Sequence, residues 1–96
     1  RLAWYYRRYN SLMNQARKLL AAILANPKAV RFDDACRAAE KLGFKHKGGQ
    51  GSHRAYARPG EPELLNFQNR AGTIPPYQAR QLIGMIERYG NDTLSD

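Results

Sequence analysis

The stretch that decides the fold reads FKHKGGQGSHRAYAR and runs from residue 44 to residue 58. Three glycines and a glutamine at 48–51 separate two short extended segments, which is typical of a β-hairpin. Pro59-Gly60 then marks a turn before a third extended segment. We therefore predict three strands, at residues 44–47, 53–58 and 63–68, that form an antiparallel meander.

Helical periodicity flanks this meander on both sides. Apolar residues recur at steps of three and four along residues 14–25, 32–42 and 76–89. Gly43 is predicted to end the second of these helices and Gly90 the last. The expected fold class is therefore α+β, with a three-stranded antiparallel sheet backed by helices in the order α-α-β-β-β-α.

The composition suggests a division of the chain. Residues 1–12 hold the single Trp, three Tyr and three Arg. We interpret them as an extension outside the domain, the alternative being an aromatic and basic arm that stacks on bases. Residues 13–27 are then an added N-terminal helix, 28–90 the domain and 91–96 a tail. The apolar side chains of the added helix either pack on the same domain or form a dimer or partner contact; they are Leu19, Leu20, Ile23 and Leu24.

The charge balance points to a polyanionic partner. Sixteen Lys and Arg against eight Asp and Glu give a net charge of +8, which favours nucleic acid through counterion release. Cys36 is the only cysteine, so an internal disulfide is excluded, and no zinc-ligand spacing is present. We expect Cys36 in the core, a reducing cytoplasm, and no metal. No apolar run reaches the roughly 20 residues that cross a bilayer, so no membrane partner is expected.

Several short motifs follow one another in this order of elements. The chain from about residue 31 to residue 90 thereby resembles the HicA toxins of bacterial toxin–antitoxin modules. The motifs are Leu42-Gly43-Phe44, Gly51-Ser52-His53, the helix entry Gly72-Thr73-Ile74-Pro75-Pro76 and the helix segment Gln81-Leu82-Ile83-Gly84-Met85-Ile86.

The resemblance implies both a fold and a function. Members of this family have a fold similar to double-stranded-RNA-binding domains and act as mRNA interferases without a tightly bound cofactor. Each is neutralised by a HicB-type antitoxin, so a toxin–antitoxin hetero-oligomer or a homo-oligomer is expected. His53 takes the position of the family's catalytic histidine, and Gly51 and Ser52 complete its motif.

Histidine chemistry suits RNA cleavage because imidazole gains and loses a proton near neutral pH. A regular hairpin would pair Lys47 with Ser52 and His46 with His53, so that one imidazole acts as base and the other as acid. A bulge in the glycine-rich hairpin would instead send His46 to the opposite face. Alternation with Ala55 and Ala57 also predicts that His53 faces the core while the intervening side chains face water.

The other candidate site residues are predicted to contact RNA. Arg54 is the strongest of them because it adjoins His53, and Tyr56 between two arginines is placed to stack on an unpaired base. Tyr77 and Tyr89 are assigned to packing of the last helix. An alternative function is a non-catalytic RNA-binding module of the same fold, and regulatory DNA binding is a weaker one. The predicted RNA-binding residues are Lys45, Lys47, Gly51, Ser52, Arg54, Tyr56 and Arg58.

Overall fold

A computed structural model describes residues 2–94, with side chains described for residues 14–91. Three helices and three strands follow in the predicted order, and the α+β class is confirmed. The helices are α1 (Leu2–Ala25), α2 (Phe32–Lys41) and α3 (Pro76–Leu94). The strands are β1 (Lys45–Gly48), β2 (His53–Ala57) and β3 (Leu65–Gln68). No helix in this described part is both long and apolar enough to cross a membrane.

The sheet is antiparallel in the order β1-β2-β3 and contributes one of its faces to the core. We call the side of β2 and β3 that carries Arg54, Tyr56, Leu65 and Phe67 the packing face. Tyr56, Leu65 and Phe67 are 2% exposed or less and pack with apolar side chains of all three helices. We call the opposite side, which carries His53, Ala55, Asn66 and Gln68, the open face. The side chains of His53 and Asn66 are exposed there.

The predicted alternation on β2 is wrong. Tyr56 is buried, and His53 stands on the open face with Ala55 and Ala57. The two alanine side chains have too little apolar surface to determine which side of β2 packs against the core. The large ring of Tyr56 carries far more and takes the core position.

The predicted pairing of the two histidines is also wrong. His46 pairs with Tyr56, Lys45 with Ala57 and Gly48 with Ala55, so a bulge lies at Lys47. The extra residue sends His46 to the side of Tyr56, with ring centroids 5.5 Å apart, and away from His53. Lys47 lies at the bulge and Ser52 lies before the first residue of β2, so these two residues do not pair either.

The outer helices are longer than their apolar patterns predict. Helix α1 begins at Leu2 rather than at residue 14, and α3 continues past Gly90 to Leu94. A glycine inside a helix costs only about 0.5–1 kcal/mol, and buried residues up to Ile86 hold α3 against the core. Leu20 and Ile23 of α1 are both 3% exposed. These two side chains therefore pack on the same domain, whereas the side chains of residues 1–12 lie outside the described part.

A buried carboxylate joins the loop after β2 to α3. The side chain of Glu61 is 1% exposed and accepts hydrogen bonds from the Tyr89 hydroxyl at 2.6 Å and the Glu63 amide at 3.0 Å. The Arg88 guanidinium lies 2.5 Å away. These hydrogen bonds, with that of Tyr89 the largest cause, lower the pKa of Glu61 to about 2. The carboxylate is therefore part of the packing that fixes α3.

Candidate active site

His53 lies at the start of β2, exposed on the open face, with a partner at each ring nitrogen. Its Nδ1 is 3.2 Å from the Ser52 hydroxyl oxygen. Its Nε2 is 3.2 Å from the side-chain amide nitrogen of Gln68, which β-pairing places directly opposite His53. The imidazole is therefore held in one orientation between a hydroxyl and an amide.

Arg70 fixes the orientation of the Gln68 amide. Its guanidinium donates to the Gln68 carbonyl oxygen at 3.0 Å, which leaves the Gln68 NH₂ group facing His53. An amide nitrogen only donates, so Nε2 of His53 must accept. The arrangement fits a neutral imidazole that carries its proton on Nδ1, next to Ser52. The Nε2 lone pair is then available to take a proton from a bound molecule that displaces the amide.

Gln78 connects this arrangement to the start of α3. Its side chain is 2% exposed, and its carbonyl oxygen accepts the backbone N–H of Gln68 at 2.8 Å. Because β3 is an edge strand, that N–H would otherwise lack a partner in the sheet. The Gln78 amide nitrogen donates to the Tyr77 hydroxyl at 3.1 Å. Hydrogen bonds therefore run from His53 through Gln68 and Gln78 to Tyr77.

Gly49 allows the hairpin to lie close to β2. Its φ is +80°, and a Cβ at this position would lie 2.3 Å from the backbone oxygen of His53. Only glycine fits there without a shift of the backbone. Gly51 has a φ of +66° but faces open space. The Gly-rich motif thus serves the placement of His53, with Gly49 in closest contact.

A cavity of about 410 Å³ opens beside His53. The hairpin at Gly48 and Gly49 forms one side, Asn66 on β3 another, and Tyr77 and Gln78 at the start of α3 a third. Tyr77 is 50% exposed. Its assignment to packing is therefore wrong: it points away from the core in the first turn of α3, whereas the next two residues, Gln78 and Ala79, are buried.

The strand arginines lie away from His53. Arg54 places its guanidinium 5.6 Å from the ring centroid of Phe32 on the packing face. The Arg58 guanidinium lies 3.7 Å from the Tyr89 ring centroid and donates to the Leu42 carbonyl at 2.9 Å. Both side chains are half-buried and engaged in packing.

Tyr56 cannot stack on a base, because its ring is buried in the core. Burial, and then hydrogen bonding with Cys36, raises the pKa of Tyr56 to about 12. Cys36 is buried as expected, and burial raises the pKa of its thiol. Arg54 and Cys36 border a second cavity, together with acidic side chains of α2. These polar groups belong to the packing side of the molecule.

The remaining predicted RNA contacts are exposed. Lys45 and Lys47 stand on β1, and Lys45 shares the open face because it pairs with Ala57. Gly51 and Ser52 lie in the exposed hairpin, with Ser52 at the His53 ring. The described residues contain no cluster of three His, Cys, Asp or Glu that could hold a metal ion.

The sequence interpretation missed Gln68, Arg70 and Gln78. Gln68 lies opposite His53 only in the register that the β2–β3 turn produces, and that turn has no fixed-length signature in the sequence. Arg70 and Gln78 reach Gln68 from outside the strand, so no periodic pattern marks them. The alternation of Leu65 and Phe67 does place Gln68 off the core face, which is the one usable signal.

The structure thus defines a small basic α+β domain with an ordered, exposed histidine on the open side of its sheet. The family model described as HicA toxin of bacterial toxin–antitoxin matches residues 32–87, from α2 through the sheet into α3. The chain belongs to this family, and an antitoxin is the partner that membership implies. No curated protein and no solved structure gives a significant match. Helix α1 lies outside the matched region.

Proposed function

We propose that this toxin is a ribosome-independent mRNA endonuclease with His53 as its proton-transfer residue. The observation that carries the proposal is the hydrogen-bonded arrangement of Ser52, His53 and Gln68, which holds an exposed imidazole with an accepting Nε2. The net charge of +8 supports a nucleic-acid substrate. Membership of the HicA toxin family supports the biological role.

The reaction uses the 2′-hydroxyl of RNA as an internal nucleophile. Nε2 of His53 takes the 2′-hydroxyl proton as the 2′-oxygen forms a bond to phosphorus and the bond from phosphorus to the 5′-oxygen breaks. The products are a 2′,3′-cyclic phosphate and a 5′-hydroxyl. Water supplies the proton to the departing 5′-oxygen, because His46 lies on the other side of the sheet.

Cationic side chains on the open face stabilise the phosphate. Arg70 is exposed and reaches the same Gln68 amide that His53 contacts, so an RNA phosphate at His53 also lies near its guanidinium. Lys45 and Lys47 on β1 extend the positive surface to the neighbouring strand. No step of this reaction requires a metal ion or another cofactor.

Neutralisation by a HicB-type antitoxin fits the same surface. His53 is exposed, and the cavity beside it is open to solvent. A partner with an acidic surface would cover the basic open face and exclude RNA by charge complementarity and by contact. We propose that the resting form is such a toxin–antitoxin hetero-oligomer in the cytoplasm, where mRNA is available.

The direct test is incubation of the purified protein with a long single-stranded RNA in EDTA, followed by analysis of the new ends. Cleavage with 5′-hydroxyl and 2′,3′-cyclic phosphate ends is expected. A copy of the RNA with a 2′-deoxynucleotide at the mapped cut should resist cleavage there, because it lacks the nucleophile. A mock preparation from cells without the gene serves as the control for contaminating nuclease.

Two results would contradict the proposal. Cleavage that leaves 5′-phosphate ends and stops in EDTA would indicate a metal-dependent nuclease. Tight binding of RNA without cleavage would indicate the other function that the fold supports, a non-catalytic RNA-binding module.

A further inference from the structure

We propose that the cavity beside His53 binds one nucleobase of the RNA and that Tyr77 is its stacking surface. This nucleobase pocket, bounded by the hairpin glycines, Asn66, Tyr77 and Gln78, rests on the proposed function only in taking RNA as the ligand. The occupant is an unpaired base next to the scissile phosphate. The pocket would therefore set the cleavage preference.

The size and position of the cavity suit a base. Its volume of about 410 Å³ lies within the range of small-ligand sites. Gly48, Gly49 and the small Ala55 leave the space beside His53 open, because none of them projects a large side chain. A base in the pocket lies directly beside the imidazole that would act on its backbone, because His53 itself lines the cavity.

Tyr77 presents an ordered aromatic surface. Its ring is 50% exposed, although most aromatic side chains of the described part are buried or half-buried. The hydroxyl accepts a hydrogen bond from Gln78, whose own side chain is 2% exposed and also bonds to the backbone of β3. Little side-chain entropy is then lost when a base stacks on the ring.

Asn66 supplies polar groups at the wall of the pocket. It pairs with Ala55 on the open face, two residues along the strands from His53 and Gln68, and its side chain is exposed. An amide both donates and accepts, so it can form two hydrogen bonds with a base edge. RNA-binding proteins commonly combine aromatic stacking with such contacts to unpaired bases. Tyr77 therefore supplies affinity and Asn66 selectivity.

The test measures binding of an uncleavable 2′-O-methyl oligonucleotide and of copies in which one abasic nucleotide is moved along the strand. Tyr77→Leu should weaken binding of the intact strand between about five-fold and one hundred-fold, the range of base–aromatic stacking. Tyr77→Phe keeps the ring and should bind within about three-fold of wild type. Leu24→Ala, which removes a side chain 47% exposed on α1, is the matched control and should have no effect.

The abasic strands show whether Tyr77 contacts a base. At one position the abasic nucleotide should weaken binding to the wild type but cause no further loss with Tyr77→Leu. Equal abasic penalties in both proteins at every position would overturn the pocket, as would wild-type affinity in Tyr77→Leu. Cleavage of ordinary RNA is judged separately. If the wild type cleaves RNA but Tyr77→Leu binds the oligonucleotide as tightly as the wild type, only the nucleobase pocket is contradicted. If Tyr77→Leu binds more weakly but the wild type does not cleave RNA, the pocket is supported and the nuclease activity is contradicted.

Discussion

The two faces of β2 differ in what their polar and aromatic side chains do. On the packing face, Arg54 is half-buried against the ring of Phe32 on α2, and Tyr56 is buried against the ring of Phe67 on β3. On the open face, His53 is exposed and held by Ser52 and Gln68. Alternate residues of a strand point to opposite sides, so Arg54 follows His53 in sequence yet lies away from it. The cation that joins the hydrogen-bonded arrangement at His53 is instead Arg70, which donates to Gln68 and lies seventeen positions after His53 in the chain.

The largest expected effect is on the free energy of unfolding, where the buried ring of Tyr56 is compared with the exposed ring of Tyr77 beside the open face. Tyr56→Ala removes a ring that is 2% exposed and should lower the free energy of unfolding by about 3–5 kcal/mol. Tyr77→Ala removes a ring that is 50% exposed, together with one hydrogen bond, and should cost about 1 kcal/mol. Urea unfolding followed by circular dichroism measures both. Equal losses in the two variants would contradict the burial of Tyr56 in the core and the exposure of Tyr77 beside the open face.

Gly49 in the hairpin should affect His53 in a way that a glycine outside the site does not. Gly49→Ala must adopt a φ near +80° and place a Cβ 2.3 Å from the His53 oxygen. The left-handed conformation alone costs about 1–2 kcal/mol, and relief of the contact should displace His53 and slow cleavage. Gly84→Ala in α3 is the control, since a Cβ there meets nothing within 4 Å and the residue lies outside the site. Cleavage of RNA at the wild-type rate by both variants would contradict this role of Gly49.

The packing side should have its own pH dependence through Glu61. Its folded-state pKa of about 2 lies below the ordinary 4.5, so its contribution to stability is complete above pH 4.5 and is lost as the pH falls toward 2. Glu61→Gln should be less stable than wild type at pH 7, and the difference should shrink below pH 4.5. Urea unfolding at several pH values tests this. A difference that stays constant from pH 7 to pH 2.5 would contradict it.

The smallest expected effect is a difference between Arg70 and Arg54 in the salt dependence of RNA binding. Arg70→Ala should remove about one phosphate contact and reduce the slope of log affinity against log salt by about 0.7 for single-stranded RNA. Arg54→Ala should leave the slope unchanged and lower the stability slightly through loss of the contact with Phe32. Fluorescence anisotropy across a salt titration provides the measurement. A slope that falls in Arg54→Ala and stays unchanged in Arg70→Ala would show that Arg54, not Arg70, contacts the phosphate.

The sequence predicts the fold better than the site. Helical periodicity and the glycine-rich hairpin are local signals, and they indicate the order of elements and the position of His53. The predicted orientation of β2 is wrong because burial of Tyr56 depends on the helices that cover the sheet, not on its neighbours Ala55 and Ala57. The bulge at Lys47 likewise arises from the three-dimensional hairpin.

Local sequence patterns do not predict the hydrogen-bond partners of His53. Gln68 meets the imidazole through strand register, and Gln78 reaches β3 from another element. Both contacts join residues far apart in the chain, so only the folded structure brings them together.

The two histidines give the most direct test of the central claim, that the open face performs the chemistry. Single-turnover cleavage of a single-stranded RNA would be compared for the wild type, His53→Ala and His46→Ala, with folding checked by urea unfolding. Loss of the base should slow His53→Ala by about 10²–10⁴-fold, with RNA binding retained. His46→Ala should stay within about three-fold of wild type. A wild-type rate in His53→Ala, or an equal loss in both variants, would contradict the account.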